Sequence, residues 1–215
     1  MFKAAHVTDW LGFLLLTDIL LIGILRHYFP KRFMAFFRVP VNNAYFTEFA
    51  QEKEQPFWFN LILESVMILS VSLFVYAVLV AFNNHPIASH DYTLLTRIGL
   101  IVLLFLSLQR LFHSATGYLF NMPKNLNIWM RVKDTYLRWS ALGLTILVGI
   151  AVFTKVNATI PAVLGLGLLT LAYIAGVVRG STLLSGNKTL NGSHIILYLC
   201  TLEILPVVVL VKLAT

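Results

Sequence analysis

An all-α fold is predicted for this chain: a bundle of six transmembrane helices with both termini in the periplasm. Of its 215 residues, 59% are hydrophobic and 12% are charged, whereas soluble domains carry roughly 25% charged residues. Six apolar runs approach the length of roughly 20 residues that crosses a bilayer as a helix. Lysine and arginine are concentrated in alternate loops. Because these runs occupy almost the whole chain, we expect a single transmembrane domain over residues 1–215.

The first span covers residues 10–29 and ends before Pro30. Only Lys3 precedes it among the lysines and arginines, and no small-residue cleavage site follows, so a cleaved signal peptide is not expected. Phenylalanines then interleave with lysine and arginine as far as Arg38. That pattern favours a short segment in the plane of the lipid headgroups. An ordinary amphipathic connector is the other interpretation.

Five further apolar runs give the remaining spans. They cover residues 57–82, 97–121, 135–156, 159–178 and 193–213. The stretch 123–134 is polar and is expected to form a loop before the fourth span. In the fifth span, Ala172, Gly176 and Gly180 recur every four residues, so this face can approach another helix closely.

The sixth span carries Glu203 near its middle and Pro206 three residues later. Proline has no N–H, so the carbonyl of Leu202 loses its helical partner and a kink is expected at Pro206. A carboxyl group in hydrocarbon is costly, so Glu203 is expected to face the interior of the bundle.

The distribution of basic residues predicts the orientation. Eleven lysines and arginines fall in the loops after the first, third and fifth spans, against four on the opposite side. By the positive-inside rule the eleven are cytoplasmic, so both termini are expected on the opposite, periplasmic side. The eleven are Arg26, Lys31, Arg32, Arg38, Lys53, Lys124, Arg131, Lys133, Arg138, Arg179 and Lys188.

Ionisable side chains inside the spans are the candidate functional residues. At 1.5 Å per residue, Glu64 lies about 10 Å from the cytoplasmic boundary and Arg110 reaches the same half of the membrane. We therefore expect Arg110 to pair with Glu64 rather than with Glu203. The excess of carboxyl groups requires protonated carboxyls, a charged histidine or a bound cation. The predicted buried network comprises Asp18, Glu64, Gln109, Arg110, His113 and Glu203, with Arg179 and His194 at the cytoplasmic ends of the fifth and sixth spans.

Motifs for catalysis and for cofactors are missing from the sequence. It holds no hydrolase, zinc-protease or nucleotide-binding motif, so no catalytic residue, metal or cofactor is expected. The single Cys200 excludes an intrachain disulfide and a cysteine-built metal site. A haem held between His113 and His194 stays an open alternative, although their depths differ by about 10 Å. The net charge of +7 comes from residues flanking the spans, so the expected partner is the lipid bilayer and not nucleic acid.

Three functions fit these observations. The first is a non-enzymatic membrane component or assembly subunit, with a membrane-protein partner or a second copy of the chain. The second is a small transporter or proton or ion translocator using the buried network. The third is a membrane-embedded enzyme acting on a lipid or isoprenoid. No inverted repeat is evident, which disfavours an ordinary secondary transporter.

The sixth span also carries a family resemblance. The stretch YLCTLEILP at residues 198–206 resembles the end of a Bacteroidota family of uncharacterised integral membrane proteins, known as a domain of unknown function. The stretch PVNNAYF at residues 40–46 and Arg179 are similar to its other markers. The resemblance implies an inner-membrane location and no established activity.

Overall fold

The computed structural model describes residues 5–40, 45–46, 57–83, 92–119, 123–154 and 159–185. These residues form six helices: α1 (Ala5–Tyr28), α2 (Pro30–Phe37), α3 (Phe57–Asn83), α4 (Tyr92–Leu119), α5 (Pro123–Phe153) and α6 (Thr159–Ser185). The predicted span at residues 193–213, with His194, Glu203 and Pro206, lies outside the described residues.

Five of these helices are long and apolar enough to cross a membrane. The candidate spans are Trp10–Tyr28, Phe57–Leu79, Thr93–Phe112, Trp129–Phe153 and Thr159–Thr182. They confirm the all-α class and indicate a multi-pass membrane protein. The hydrocarbon interior of a membrane accounts for the all-α fold class, because a segment that spans it must satisfy every backbone hydrogen bond internally.

The fourth predicted span differs most from the structure. Helix α5 begins at Pro123, so the polar stretch 123–134 is helical and not a loop. Proline suits the first turn of a helix, where its missing N–H would have no partner. Lys133 is fully buried in this part of α5. Two cations that the sequence placed in a cytoplasmic loop, Lys133 and Arg138, therefore lie within the bundle.

Consecutive spans run in opposite directions, and α1 is antiparallel to both α3 and α5. Near the start of α1, the ring of Trp10 meets that of Tyr76 in the second half of α3 edge-on at 5.6 Å. A Cβ added at Gly12 of α1 would lie 3.6 Å from the phenylalanine ring that ends α5. On the side of α2, Trp139 of α5 donates from Nε1 to the carbonyl of Phe37, the last residue of α2, at 3.1 Å.

We call the end that holds α2 the basic end. Among the described residues it carries the exposed side chains of Arg26, Lys31, Arg38 and Arg131, and the opposite end carries Arg97.

The chain folds back over the basic end after α1. Helix α2 buries Phe36 and leaves Lys31 exposed, so it is amphipathic, as both interpretations of this segment require. Tyr45 meets Phe36 edge-on at 5.8 Å, and Phe46 stacks on Tyr136 of α5 at 6.2 Å. The two aromatic residues of the PVNNAYF stretch therefore anchor it to the bundle.

The small-residue face of α6 packs closely, as predicted, and its partner is α5. A Cβ added at Gly176 would come within 3.1 Å of the Cα of Lys133, and one at Gly180 would collide with the Trp129 ring. Ala172 is buried on the same face. Because α5 occupies this face, it does not support an interface with another protein.

Candidate functional site

A charged cluster lies in the half of the bundle near the basic end, with Glu64 of α3 at its centre. Nη2 of Arg110, from α4, donates to both carboxylate oxygens of Glu64 at 2.6 Å. Nη2 of Arg138, from α5, donates to Oε2 of Glu64 at 2.7 Å. Glu64 is thus held by two arginines from two different helices. The pairing of Arg110 with Glu64 that depth predicted is confirmed.

Two further polar residues complete the charged cluster. Nε of Arg110 lies 3.6 Å from Oδ2 of Asp134, and Nη1 of Arg138 donates to Oδ1 of Asn60 at 3.4 Å. The cluster of Asn60, Glu64, Arg110, Asp134 and Arg138 therefore sets two carboxyl groups against two guanidinium groups. Its hydrogen bonds to charged groups are the strong kind.

A buried cation lies beside the cluster on α5. The ammonium group of Lys133 is 5.1 Å from the ring centroid of Trp129 and 5.8 Å from that of Tyr173. Aromatic faces attract cations at such distances. Lys133 thus adds a buried positive charge directly before Asp134 in the sequence.

The sequence analysis missed three members of the cluster. Asp134 and Arg138 were assigned to the edge of a loop, and Asn60 carries no charge. One signal was available: Asp134 and Arg138 are four residues apart, the spacing that places opposite charges on one helix face.

Asp18 forms a second, separate polar cluster with two hydroxyl groups. Its Oδ2 accepts hydrogen bonds from Ser70 Oγ of α3 and Thr145 Oγ1 of α5, both at 2.7 Å. The two hydroxyl oxygens are 2.9 Å apart. Asp18 is fully buried, and its Oδ1 has no hydrogen-bond partner among the described residues. Because Ser70 lies six residues beyond Glu64 on α3, the two clusters are separated by about 9 Å along the bundle.

Among the remaining predicted residues, Gln109 joins neither cluster in the described part of the chain. Gln109 is half-buried beside Arg110, and His113 lies three residues further along α4. Arg179 is half-buried near the end of α6. His194 and Glu203 lie outside the described residues, as does any contact they make. Within the described helices, Glu64 and Arg110 of the predicted network thus share one cluster, and Asp18 belongs to the other.

The two clusters differ in what they can do chemically. In the charged cluster the carboxylate of Glu64 already accepts from two arginines, so its lone pairs are largely engaged. In the Asp18 cluster, a carboxyl group with one unpartnered oxygen accepts from two neutral hydroxyls, as far as the described residues show. No group of three or more His, Cys, Asp or Glu residues placed to hold a metal ion occurs in the helices described above.

Comparison with known proteins identifies a family. No curated protein and no solved structure matches the chain significantly. A family model described as "Domain of unknown function (DUF4271)" matches residues 11–214, which includes every described span and both polar clusters. The chain therefore belongs to the DUF4271 family.

Proposed function

We propose that this chain is a non-enzymatic component of a bacterial inner membrane, an assembly subunit whose charged cluster holds its helices together. The observation that carries the proposal is the position of Glu64 between Arg110 and Arg138. Because these charged groups neutralise one another and form hydrogen bonds to one another, they need no bound substrate to balance their charge. They act as a clamp between α3, α4 and α5.

Helix α4 shows why such a clamp is needed. Leu100, Leu104 and Leu111 are exposed along its span, and few side chains of α4 are buried in the described bundle. Lipid is as apolar as leucine, so apolar contact alone does not drive helices together within a bilayer. Arg110 supplies a directional attachment that lipid cannot replace.

The proposal includes six spans, with residues 193–213 as the sixth, and periplasmic termini. The concentration of exposed cations at the basic end supports this orientation through the positive-inside rule. The YLCTLEILP ending supports an origin in the Bacteroidota. Reporter fusions at residue 215 that are active only in the cytoplasm would contradict the topology.

Complementation of a deletion strain tests the structural role. Each variant is scored for growth or fitness and for folded protein in mild detergent. If the cluster is structural, Arg110→Leu lowers both measures in proportion. Arg97→Leu is the matched control, because Arg97 is an exposed arginine of α4 that forms no ion pair with the described residues; it should change neither. An Arg110→Leu variant that folds at the wild-type level and fails to complement would refute the proposal.

The assembly role is tested by the chain's partners. Native mass spectrometry after gentle solubilisation should find the chain bound to a second membrane protein or to another copy of itself. A strictly monomeric chain, recovered with lipid alone under conditions that preserve other membrane complexes, would remove this role and leave a free-standing protein.

Proton or ion translocation is the second candidate, and the Asp18 cluster favours it. Ionisable residues at membrane depth commonly mark ion and proton pathways. Asp18→Asn keeps the size of the side chain. An Asn variant that folds normally and loses complementation would favour translocation over the structural role.

A further inference from the structure

The Asp18 cluster has a hydrogen-bond geometry that suits two protonation states. Each hydroxyl also lies within hydrogen-bond distance of the carbonyl four residues earlier in its own helix. Ser70 Oγ is 2.8 Å from the carbonyl oxygen of Val66, and Thr145 Oγ1 is 3.1 Å from that of Ala141. Serine and threonine in membrane helices commonly use this bond. Each hydroxyl therefore has three acceptors within reach, namely Asp18, a carbonyl of its own helix and the other hydroxyl, and one proton to give.

When Asp18 is ionised, both hydroxyls donate to its Oδ2. When Asp18 is protonated, its own proton is donated from Oδ2 to one hydroxyl oxygen, because a hydroxyl can accept as well as donate. The hydroxyl protons then turn to the carbonyls of Val66 and Ala141. The change requires rotation of two hydroxyl protons and no movement of carbon, nitrogen or oxygen atoms. One proton is taken up by the carboxylate of Asp18, and no other covalent bond forms or breaks.

The oxygen–oxygen distances fit protons better than a metal cation. Oδ2 of Asp18 is 2.7 Å from both hydroxyl oxygens, and these are 2.9 Å from each other. Such distances are those of O–H···O hydrogen bonds, so each pair of oxygens is close enough to share a proton.

Charged groups do not contact Asp18 in the described part of the chain. The nearest in register on the packed helices are Glu64, six residues before Ser70, and Arg138, seven residues before Thr145; each is about 9–10 Å away along the bundle. The other titratable or charged groups on α1 and on the helices packed against it are His6, Asp9, Arg26, His27, Tyr28, Lys31, Arg32, Tyr76, Lys124, Arg131, Lys133, Asp134 and Tyr136. When Asp18 takes up a proton, its carboxylate loses a negative charge that contacts no cation among the described residues.

We propose that Asp18, with Ser70 and Thr145, is a proton-exchange site in the interior of the membrane. Its ligand is a single proton, held on the carboxyl group and relayed between hydroxyl and backbone acceptors. This role is independent of the charged cluster and goes beyond the assembly function, because it gives the bundle a group that responds to proton activity.

Infrared difference spectroscopy of the full chain in lipid tests the site. The carbonyl stretch of a protonated carboxyl group is recorded while the pH is varied, and ¹³C-labelled aspartate separates aspartates from glutamates without any substitution. We expect an aspartate band that appears at low pH and disappears reversibly as the pH rises. Asp18→Asn should delete it. Ser70→Ala and Thr145→Val should shift its frequency, because each removes one hydrogen bond to Oδ2.

Two substitutions serve as matched controls. Ser72 bonds only to the Ile68 carbonyl, and Thr170 bonds only to carbonyls of its own helix, among the interactions of the described residues. Ser72→Ala and Thr170→Val should leave the aspartate band unchanged.

The labelled wild type keeps the test decisive if Asp18→Asn fails to fold. An aspartate band that is absent, or constant, over the whole pH range in which the protein stays folded would overturn the proposal. So would a band that is insensitive to both Ser70→Ala and Thr145→Val. Loss of the band on addition of Na⁺ at constant pH would replace the proton site with a cation site.

Discussion

Removal of Arg110 and of Glu64, singly and together, should destabilise the protein unequally. Loss of Arg110 leaves Glu64 with a second arginine, Arg138, at 2.7 Å. Loss of Glu64 leaves both guanidinium groups without the carboxylate between them. Among the described residues, Asp134, 3.6 Å from Arg110, then remains as the counter-charge. Glu64 is therefore the more critical member of the cluster.

The magnitudes follow from these contacts. Hydrogen bonds to charged groups contribute about 1.5–3 kcal/mol, and removing one partner of a buried ion pair costs about 3–5 kcal/mol. Arg110 is 39% exposed and Glu64 is 18% exposed. We therefore expect Arg110→Leu to lower the free energy of unfolding by about 1.5–3 kcal/mol. Glu64→Leu should lower it by about 3–5 kcal/mol. The double variant should cost less than the sum of the two.

Equilibrium unfolding in mixed micelles, followed by tryptophan fluorescence, measures these differences. Arg97→Leu on the same helix is the control, and as a surface substitution it should change the free energy of unfolding by less than about 0.5 kcal/mol. The reasoning is refuted if Arg110→Leu costs as much as Glu64→Leu, or if the double variant is additive.

Three further predictions concern packing, pH and a helix connection. Gly176→Leu should destabilise the protein by about 1–3 kcal/mol in thermal unfolding, because the larger side chain overpacks against α5. Gly167→Ala is the control: a Cβ added there meets nothing within 4 Å, so this substitution should be neutral or slightly stabilising. Burial raises the pKa of Tyr45 above its ordinary value of 10.0, and this effect outweighs the opposing effect of nearby arginines. Because Tyr45 then ionises first in the unfolded state, the free energy of unfolding should fall as the pH rises through and above 10.0. In a series of melting curves at increasing pH, Tyr45→Phe should show a smaller fall than the wild type. Trp139→Phe removes the hydrogen bond to the Phe37 carbonyl and should cost about 0.5–1.5 kcal/mol in chemical unfolding.

Five of the six predicted spans and the central ion pair could be predicted from the sequence. Hydrocarbon allows few structures for an apolar run of this length, so helices at 57–82 and 159–178 followed directly. The partner of Arg110 followed from depth, because two antiparallel helices with a known rise per residue bring it level with Glu64. Both inferences depend on geometry that the bilayer imposes.

Other members of the two clusters could not be found in this way. Asp134 and Arg138 lie within α5, beyond its polar first turns. Polarity alone cannot distinguish a loop from a helix that is covered by its neighbours. Ser70 and Thr145 are neutral and commonly bond to their own helix, so nothing in the sequence singles them out as partners of Asp18. Their role depends on how α1, α3 and α5 are arranged.

The face of α6 shows a similar limit. Ala172, Gly176 and Gly180 mark a surface for close packing, but a small-residue pattern does not identify the helix that fills it. The structure assigns that position to α5, and one argument for an external partner is lost with it.

The amount of complementation per folded molecule for Glu64→Gln tests the central claim most directly. Glutamine keeps the size of glutamate and one of its acceptor oxygens but removes the charge that holds the two arginines. If the charged cluster maintains the fold, complementation divided by the amount of folded protein should equal that of the wild type, even where the folded amount is reduced. A variant that folds in full and complements poorly would show that Glu64 takes part in the activity itself.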